Sequence, residues 1–308
     1  MNPIAERLAR QDVIVLDGAL ATELEARGCS ISDALWSAKA LFACPDLVRE
    51  VHLDYLRAGA DVVTSASYQA TVEGFMRCGF TEEEAAALLQ KSVRLAREAC
   101  ELYCSERGVD GGVPLVAASV GPYGAYLADG SEYRGDYGID EEALVAFHAE
   151  RLALLAEEKP DLLACETLPC LVEARAIVRA LREREIRIPA WFSFSCRNGA
   201  EISDGTRIAE CARFLNNVSE ASAIGLNCTA PQYVEELIRA IRSETAKPIV
   251  VYPNSGEMYD VHERRWYGAA ADFGTEARCW RAAGARLIGG CCRTTPCEIA
   301  DIAAWAKN

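Results

Sequence analysis

The chain has 308 residues, 51% hydrophobic and 25% charged, which is globular composition and enough length for one large barrel or two mid-sized domains. Its 46 acidic residues against 32 basic leave a net charge of −14 with no Lys/Arg cluster, which argues against a nucleic-acid backbone as partner. No stretch approaches the roughly 18 to 20 uncharged apolar residues of a membrane span, and residues 1–10 carry Glu6, Arg7 and Arg10 where a signal peptide would be apolar, so a cytoplasmic location is expected.

Eight short apolar runs, rich in β-branched residues, alternate with stretches of helical period. In chain order the runs are 13–20, 60–67, 114–121, 161–168, 189–196, 223–228, 247–254 and 285–292. Between them lie amphipathic segments such as 82–106, 140–159, 231–245 and 275–283, with apolar residues at i, i+3, i+4 and i+7 as in Leu88, Leu89, Val93, Leu95 and Ala96. A last helix, 296–306, opens with Pro296, whose missing N–H is harmless in a first turn.

Regular strand–helix alternation implies parallel strands with crossover helices. Eight such units fit the α/β class and a closed (β/α)8 barrel of the TIM type, about 250 residues plus insertions. An open doubly wound sheet would need a glycine-rich phosphate turn after the first strand, and Asp17-Gly18-Ala19-Leu20 is not one. No linker or shift of composition divides residues 1–308, which read as one domain. Two connections, 122–139 and 253–274, are too long for plain barrel loops and both follow C-terminal strand ends, where barrel enzymes build their sites. The first carries Tyr123, Tyr126, Tyr133 and Tyr137, the second Tyr259, Trp266 and Tyr267.

The predicted strand ends carry residues that a packed core would not select: Asp17-Gly18, Glu166-Thr167, Asn227-Cys228, Asn254 and Cys291-Cys292. On a barrel these converge on one mouth. Asp17 and Glu166, if buried, need a cation, and no strand end supplies Lys or Arg, although Arg293 follows Cys292; a bound amine is one occupant. A helix N-cap or turn is the alternative for Asp17, and an unlocated basic partner the alternative for Glu166.

Fourteen cysteines in a chain without an export signal read as free thiols. Three thiolates suit zinc and leave a fourth position open, the mark of a catalytic site. Cys228, Cys291 and Cys292 can meet at the mouth, but adjacent strand residues face opposite sides, so the chain must leave the pleat there; Gly289-Gly290 permits it. Core packing is the alternative for the Cys291-Cys292 pair. Cys100, Cys104, Cys165 and Cys170 read as packing or surface thiols, with Cys165 pointing away from the mouth if Glu166 points in. None of His52, His148 and His262 lies at a strand end, which leaves a histidine-based hydrolase poorly supported.

The segments Asp17-Gly18-Ala19-Leu20-Ala21-Thr22-Glu23-Leu24, Cys165-Glu166-Thr167-Leu168-Pro169, Gly225-Leu226-Asn227-Cys228 and Gly289-Gly290-Cys291-Cys292-Arg293-Thr294-Thr295-Pro296 resemble the homocysteine S-methyltransferase family in order and spacing, over almost the whole chain. The nearer likeness is to the bacterial and plant branch that uses S-methylmethionine, carried by Ser119 to Tyr137 and by Val251-Tyr252-Pro253-Asn254-Ser255-Gly256-Glu257. The resemblance implies Zn2+ on Cys228, Cys291 and Cys292, with homocysteine sulfur as the incoming ligand. It implies that Asp17, Gly18 and Glu166, beside Asn227, hold the amino-acid end of homocysteine. The expected partners are therefore small molecules, homocysteine and a sulfonium methyl donor. The tyrosine-rich 122–139 connection, with Glu132 and Asp136, is the candidate donor site, and a solvated lid is its alternative. Betaine as donor, or a metal-binding sensor without turnover, are the competing functions.

Overall fold

A strand that is apolar on both faces is stable only where both faces are covered, and the chain uses its apolar runs in that way. The computed structural model describes residues 2–29, 36–107, 112–260, 265–267 and 272–307, with the side chains of 36, 37, 258–260 and 265–267 outside the description. The barrel strands are β1 (Ile14–Val15), β2 (Val62–Thr64), β3 (Leu115–Val120), β4 (Leu162–Leu168), β5 (Ala190–Phe194), β6 (Ala221–Asn227) and β7 (Ile249–Tyr252). A small hairpin, β8 (Met258–Asp260) and β9 (Arg265–Tyr267), precedes the last barrel strand, β10 (Ala285–Ile288). The eight barrel strands are parallel in the order β1-β10-β7-β6-β5-β4-β3-β2. A parallel bridge from Leu16 to Val62 joins the ends of that sheet, with Asp17 N–H donating to Val62 O at 3.1 Å and Asp61 N–H to Val15 O at 2.7 Å. The expected (β/α)8 barrel is therefore the fold.

Side chains sort by strand alternation into two cores. Ile14, Leu16, Val62, Ala117, Leu162, Ala164, Trp191, Ala223 and Val250 fill the barrel interior, closed from below by Ile4 of the helix Pro3–Leu8. Their outward neighbours, among them Val15, Val63, Leu163, Cys165, Phe192 and Ile224, pack against the surrounding helices. Alanine at three interior positions leaves room for Trp191 and Tyr252, whose rings meet at 6.2 Å and 77°.

Several strands are shorter than their apolar runs. The first pairs only to Leu16, and the last ends at Ile288, because Gly289 and Gly290 leave the pleat before the two cysteines. Neither glycine has a left-handed φ; each is needed for close approach. A Cβ on Gly289 would lie 2.6 Å from Leu16 Cβ, and one on Gly290 2.3 Å from Thr294 Oγ1. The helices follow their predicted periods: Glu82–Arg107, Glu141–Glu157 capped by Asp140, Phe273–Ala283, and Pro296–Ala306 with a Thr295/Glu298 capping box. The run 231–245 divides into a 3-10 turn Pro231–Tyr233 and the helix Val234–Arg242. Of the aromatic residues in the 253–274 connection, the side chains of Tyr259, Trp266 and Tyr267 lie outside the described residues, as does His262. Among the described residues no helix is long and apolar enough to cross a membrane.

Gly225 on β6 has no room for a side chain, since a Cβ there would stand 1.6 Å from Val250 O on β7. Gly225→Ala should therefore destabilise the fold by at least about 1–3 kcal/mol. A urea unfolding midpoint equal to that of the parent chain would show that the two strands can part without cost.

Candidate active site

The mouth at the C-terminal ends of the strands opens into a cavity lined by Asp17, Gly18, Glu166, Asn227, Cys228, Cys291 and Cys292 together. Asn254 does not line it, whereas Arg293 does, with Nε 3.0 Å from Glu257.

Asp17 follows the short first strand and does not cap the next helix, Leu20–Ala26, which begins without a side-chain cap. Its two oxygens accept instead from Thr64 at the end of β2, from the N–H at 2.7 Å and the hydroxyl at 3.0 Å. Gly18 admits the backbone between neighbours, because a Cβ would sit 2.9 Å from both Thr294 Oγ1 and Tyr55 Cε1.

Glu166 points inward while Cys165 packs outward, as strand alternation requires. Its carboxylate accepts from Ser119 Oγ on β3 and from Tyr252 Oη on β7 at 3.0 Å. Tyr252 is in turn held by Trp191 Nε1 at 2.9 Å, so the barrel core itself orients Glu166. The register of β4 against β5 slips between Cys165 and Leu168, and within this bulge Thr167 takes a left-handed φ of 57°. Asn227 secures the bend: its Oδ1 accepts the Thr167 N–H at 2.7 Å and its Nδ2 donates to Thr167 Oγ1 at 2.7 Å. The Asn227 amide, which also receives Ser193 Oγ at 2.9 Å, is thus committed to shaping the wall.

Asp17 and Glu166 are only 8% and 7% exposed, and among the described residues neither forms an ion pair. Burial pushes both carboxyls up to about 7, against the pull of the hydrogen bonds from Thr64 and from Ser119 and Tyr252. The buried Arg151 acts on Glu166 from a distance without pairing with it, so two buried acids with no ion pair among the described residues leave room for a cationic ligand.

The three cysteines meet in the same cavity. Cys228 Sγ stands 2.9 Å from Cys291 Sγ and 3.6 Å from Cys292 Sγ, and all three sulfurs lie within 4.8 Å of one another, a group that can hold a metal ion. The shortest separation is well beyond a disulfide bond of about 2.05 Å. Thiol donation from Cys291 and Cys292, then from the Tyr133 hydroxyl at 3.6 Å, holds Cys228 well below the usual thiol range. Cys228 and Arg293 both have left-handed φ, 49° and 68°. With Thr167 they make three non-glycine residues in that region around one cavity, each costing about 1–3 kcal/mol and held by the packed strands beneath.

The 122–139 connection folds into a short helix, Tyr123–Leu127, and a 3-10 turn, Ser131–Tyr133. It brings Glu132 and Tyr133 to the cavity. Asp136 does not reach it and pairs with Arg134 at 3.3 Å, while Tyr123, Tyr126 and Tyr137 pack on one another and on Phe147. Tyr68, on the turn after β2, lines the cavity with Glu132 and was not singled out by the sequence. The fully buried Arg151 holds that turn by donating to Ser67 O at 2.5 Å and Tyr68 O at 2.7 Å. Thr64, Ser119 and Tyr252 were given no role of their own; each is a polar residue in an apolar run, and Ser119 and Tyr252 lie in the segments of family likeness.

The sequence profile of the homocysteine S-methyltransferases matches residues 14–306. A homocysteine S-methyltransferase of Bacillus subtilis is 52% identical over 312 residues, covering 100% of this chain and 99% of the relative. The chain belongs to the homocysteine S-methyltransferase family. A selenocysteine methyltransferase of Astragalus bisulcatus is 46% identical, with 94% of this chain and 90% of that protein covered. Among solved structures, the metallated form of the homocysteine methyltransferase MmuM from Escherichia coli matches this family member with a TM-score of 0.90 at 48% identity, covering 98% and 99% of the two chains.

Asp17 and Glu166 predict a stability slope. Their folded pKa values, raised from 3.8 and 4.5 to about 7, mean that the folded state binds protons that the unfolded chain has already released. These groups therefore favour folding most at the acid end, and their contribution is lost as pH climbs through about 7. Metal-free Asp17→Asn/Glu166→Gln should show a flatter fall of urea midpoint between pH 5 and 8 than the parent chain; parallel profiles would mean that the two carboxyls titrate normally.

Proposed function

We propose that residues 1–308 form one homocysteine-binding domain that transfers a methyl group from S-methylmethionine, and less readily from S-adenosylmethionine, to the thiol of L-homocysteine, giving methionine. The observation that carries this reading is the meeting of three cysteine sulfurs, in one cavity, with two buried carboxylates that form no ion pair among the described residues. Family membership supports the acceptor.

Zn2+ is the metal that suits this donor set. Four sulfurs about 2.3 Å from a tetrahedral zinc stand about 3.8 Å apart, and the 3.6 Å and 2.9 Å separations at Cys228 approach that spacing. Cys228, Cys291 and Cys292 would hold the ion and leave one corner free. When bound, zinc supplies the Lewis acidity that makes an incoming thiol a thiolate at neutral pH. None of the fourteen cysteines is paired in a disulfide, in keeping with a reducing cytoplasmic setting.

The residues of the chain bind and align. Asp17 and Glu166 receive the homocysteine ammonium, Gly18 gives the amino-acid end its close approach, and Asn227 keeps the Thr167 bend that aims Glu166. Its thiolate then attacks the methyl carbon of the sulfonium; the carbon–sulfur bond breaks and its electron pair stays on the departing sulfur, which leaves as a neutral thioether. Glu132 suits the positive donor: burial raises its carboxyl, and among the described residues its Oε2 has no hydrogen-bond partner. Tyr68 and Tyr133 add aromatic faces, each cation–π contact worth about 0.5–2 kcal/mol. Much of the rate then comes from alignment of two held reactants.

Purified protein assayed with homocysteine and a panel of S-methylmethionine, S-adenosylmethionine and betaine should form methionine fastest with the first. Betaine as the best donor would overturn the sulfonium assignment. Cys228→Ser, Cys291→Ser and Cys292→Ser should each lose zinc and activity; a variant that keeps one zinc per chain removes that cysteine from the ligand set. Glu166→Ala should raise the homocysteine KM about 10- to 100-fold, the worth of a hydrogen bond to a charged group, with donor KM little changed. An unaltered homocysteine KM would take Glu166 out of the amino-acid pocket.

A further inference from the structure

The wall that carries Glu132 and Tyr133 is tied to the barrel through one buried carboxylate outside the cavity. Glu173, in the first turn of the helix Leu171–Glu183, is fully buried. It accepts the backbone N–H of Tyr123 at 2.5 Å, the hydroxyl of Tyr137 at 2.8 Å and Nε2 of His148 at 2.9 Å. Tyr123 opens the excursion from the barrel and Tyr137 ends it. A carboxylate with two oxygens and about four lone-pair sites can take both ends at once, so this one side chain closes the base of a fifteen-residue loop, 123–137.

The other contacts fit a loop whose shape matters. His148 comes from the helix Glu141–Glu157 and is fully buried; burial lowers its pKa, so the neutral ring gives its Nε2 proton to a partner that can only accept. The Tyr123 ring packs edge-on against Tyr137 at 5.4 Å and against Phe147 at 5.0 Å. The loop then doubles back on itself at Gly124, where a Cβ would lie 2.4 Å from the Glu132 nitrogen, and Ser195 Oγ donates to Glu132 O at 3.2 Å. Each of these contacts fixes the backbone that bears Glu132, and none satisfies its carboxylate, whose buried Oε2 has no partner among the described residues. A hub that only stabilised the packing of two helices would bond helix to helix; Glu173 takes two of its three hydrogen bonds from the two ends of the loop.

We propose that Glu173, with His148 behind it, is a positioning residue for methyl transfer: a buried staple that holds the 123–137 loop so that the Glu132 carboxylate and Tyr133 stand opposite the cysteine cluster, ready for the sulfonium donor. This rests on reading Glu132 and Tyr133 as the donor wall.

The test uses the zinc-loaded full-length enzyme and two variants, Glu173→Gln and the milder Tyr137→Phe, which deletes one hydrogen bond and keeps the ring. Amide hydrogen exchange over 123–137 reports the staple without reference to activity, and the two KM values with zinc content report its consequence. Glu173→Gln should speed exchange in 123–137 about tenfold or more and raise the S-methylmethionine KM by a similar factor, with the homocysteine KM within about twofold and one zinc per chain. Tyr137→Phe should move the same quantities in the same direction by less, and stands in if Glu173→Gln does not fold. Unchanged exchange in 123–137 overturns the staple, whatever the kinetics. Faster exchange with both KM values unchanged overturns its role in positioning. Faster exchange with a raised homocysteine KM and an unchanged donor KM leaves the staple standing and overturns the donor wall.

Discussion

The contact on which the site depends is the closure of the sheet between Leu16 and Val62. Parallel strands place all their C-terminal ends on one side, but only closure makes the first strand a neighbour of both the second and the last. Through it Asp17 gives its N–H to Val62, takes two hydrogen bonds from Thr64, and offers its own carbonyl to Gly290 at 3.1 Å. The carboxylate near the start of the chain and the cysteines near its end are thereby built into one corner. Without that seam, Asp17 would have no fixed relation to the metal-competent group.

A second constraint is charge. Two buried carboxylates and three half-buried thiols face one cavity, and the cation nearest in sequence, Arg293, pairs with Glu257. Burial raises both carboxyls, so holding them ionised in this cavity has a cost that a bound cation would offset. The same economy governs the backbone, since Thr167, Cys228 and Arg293 hold left-handed conformations that a core without a function would relax. The barrel beneath supplies the rigidity, through Trp191, Tyr252, Ser193 and Asn227, which hand fixed geometry from the packed interior to the reactive face.

The two walls of the cavity are held by different means. The wall that bears Asp17, Glu166 and the cysteines stands on strand ends and is fixed by the barrel. The wall proposed for the donor stands on a connection, and buried polar groups on surrounding helices fasten it: Arg151 on the turn that bears Tyr68, and the carboxylate of Glu173 on the loop that bears Glu132. Loops placed by a rigid scaffold are where specificity is most easily changed, and the helix Glu141–Glu157, which supplies both His148 and Arg151, is shared by both fastenings.

The barrel was legible in the sequence because alternation of apolar runs with helical periods is a local property, written within about twenty residues at a time. The cysteines, Asp17 and Glu166 were legible because a thiol or a carboxylate at the end of an apolar run conflicts with packing and so announces itself. Strand lengths were overestimated where glycine or a left-handed residue takes the chain out of the pleat, since hydrophobicity continues past the last ladder hydrogen bond. The tyrosines of the 122–139 connection could not be sorted, and only Tyr133 reaches the cavity, because an amphipathic ring serves equally as core or as binding face. Tyr68, Arg151 and Glu173 gave no signal, and Ser119 and Tyr252 only that of a polar residue in an apolar run within a segment of family likeness: their roles lie in hydrogen bonds to partners 47 to 86 residues away or, for Glu173, at both ends of a single loop. Sequence determined which residues had to be explained. Only the closed fold decided which of them touch, because contact between distant residues is fixed by strand register and closure, and neither is encoded at any one position.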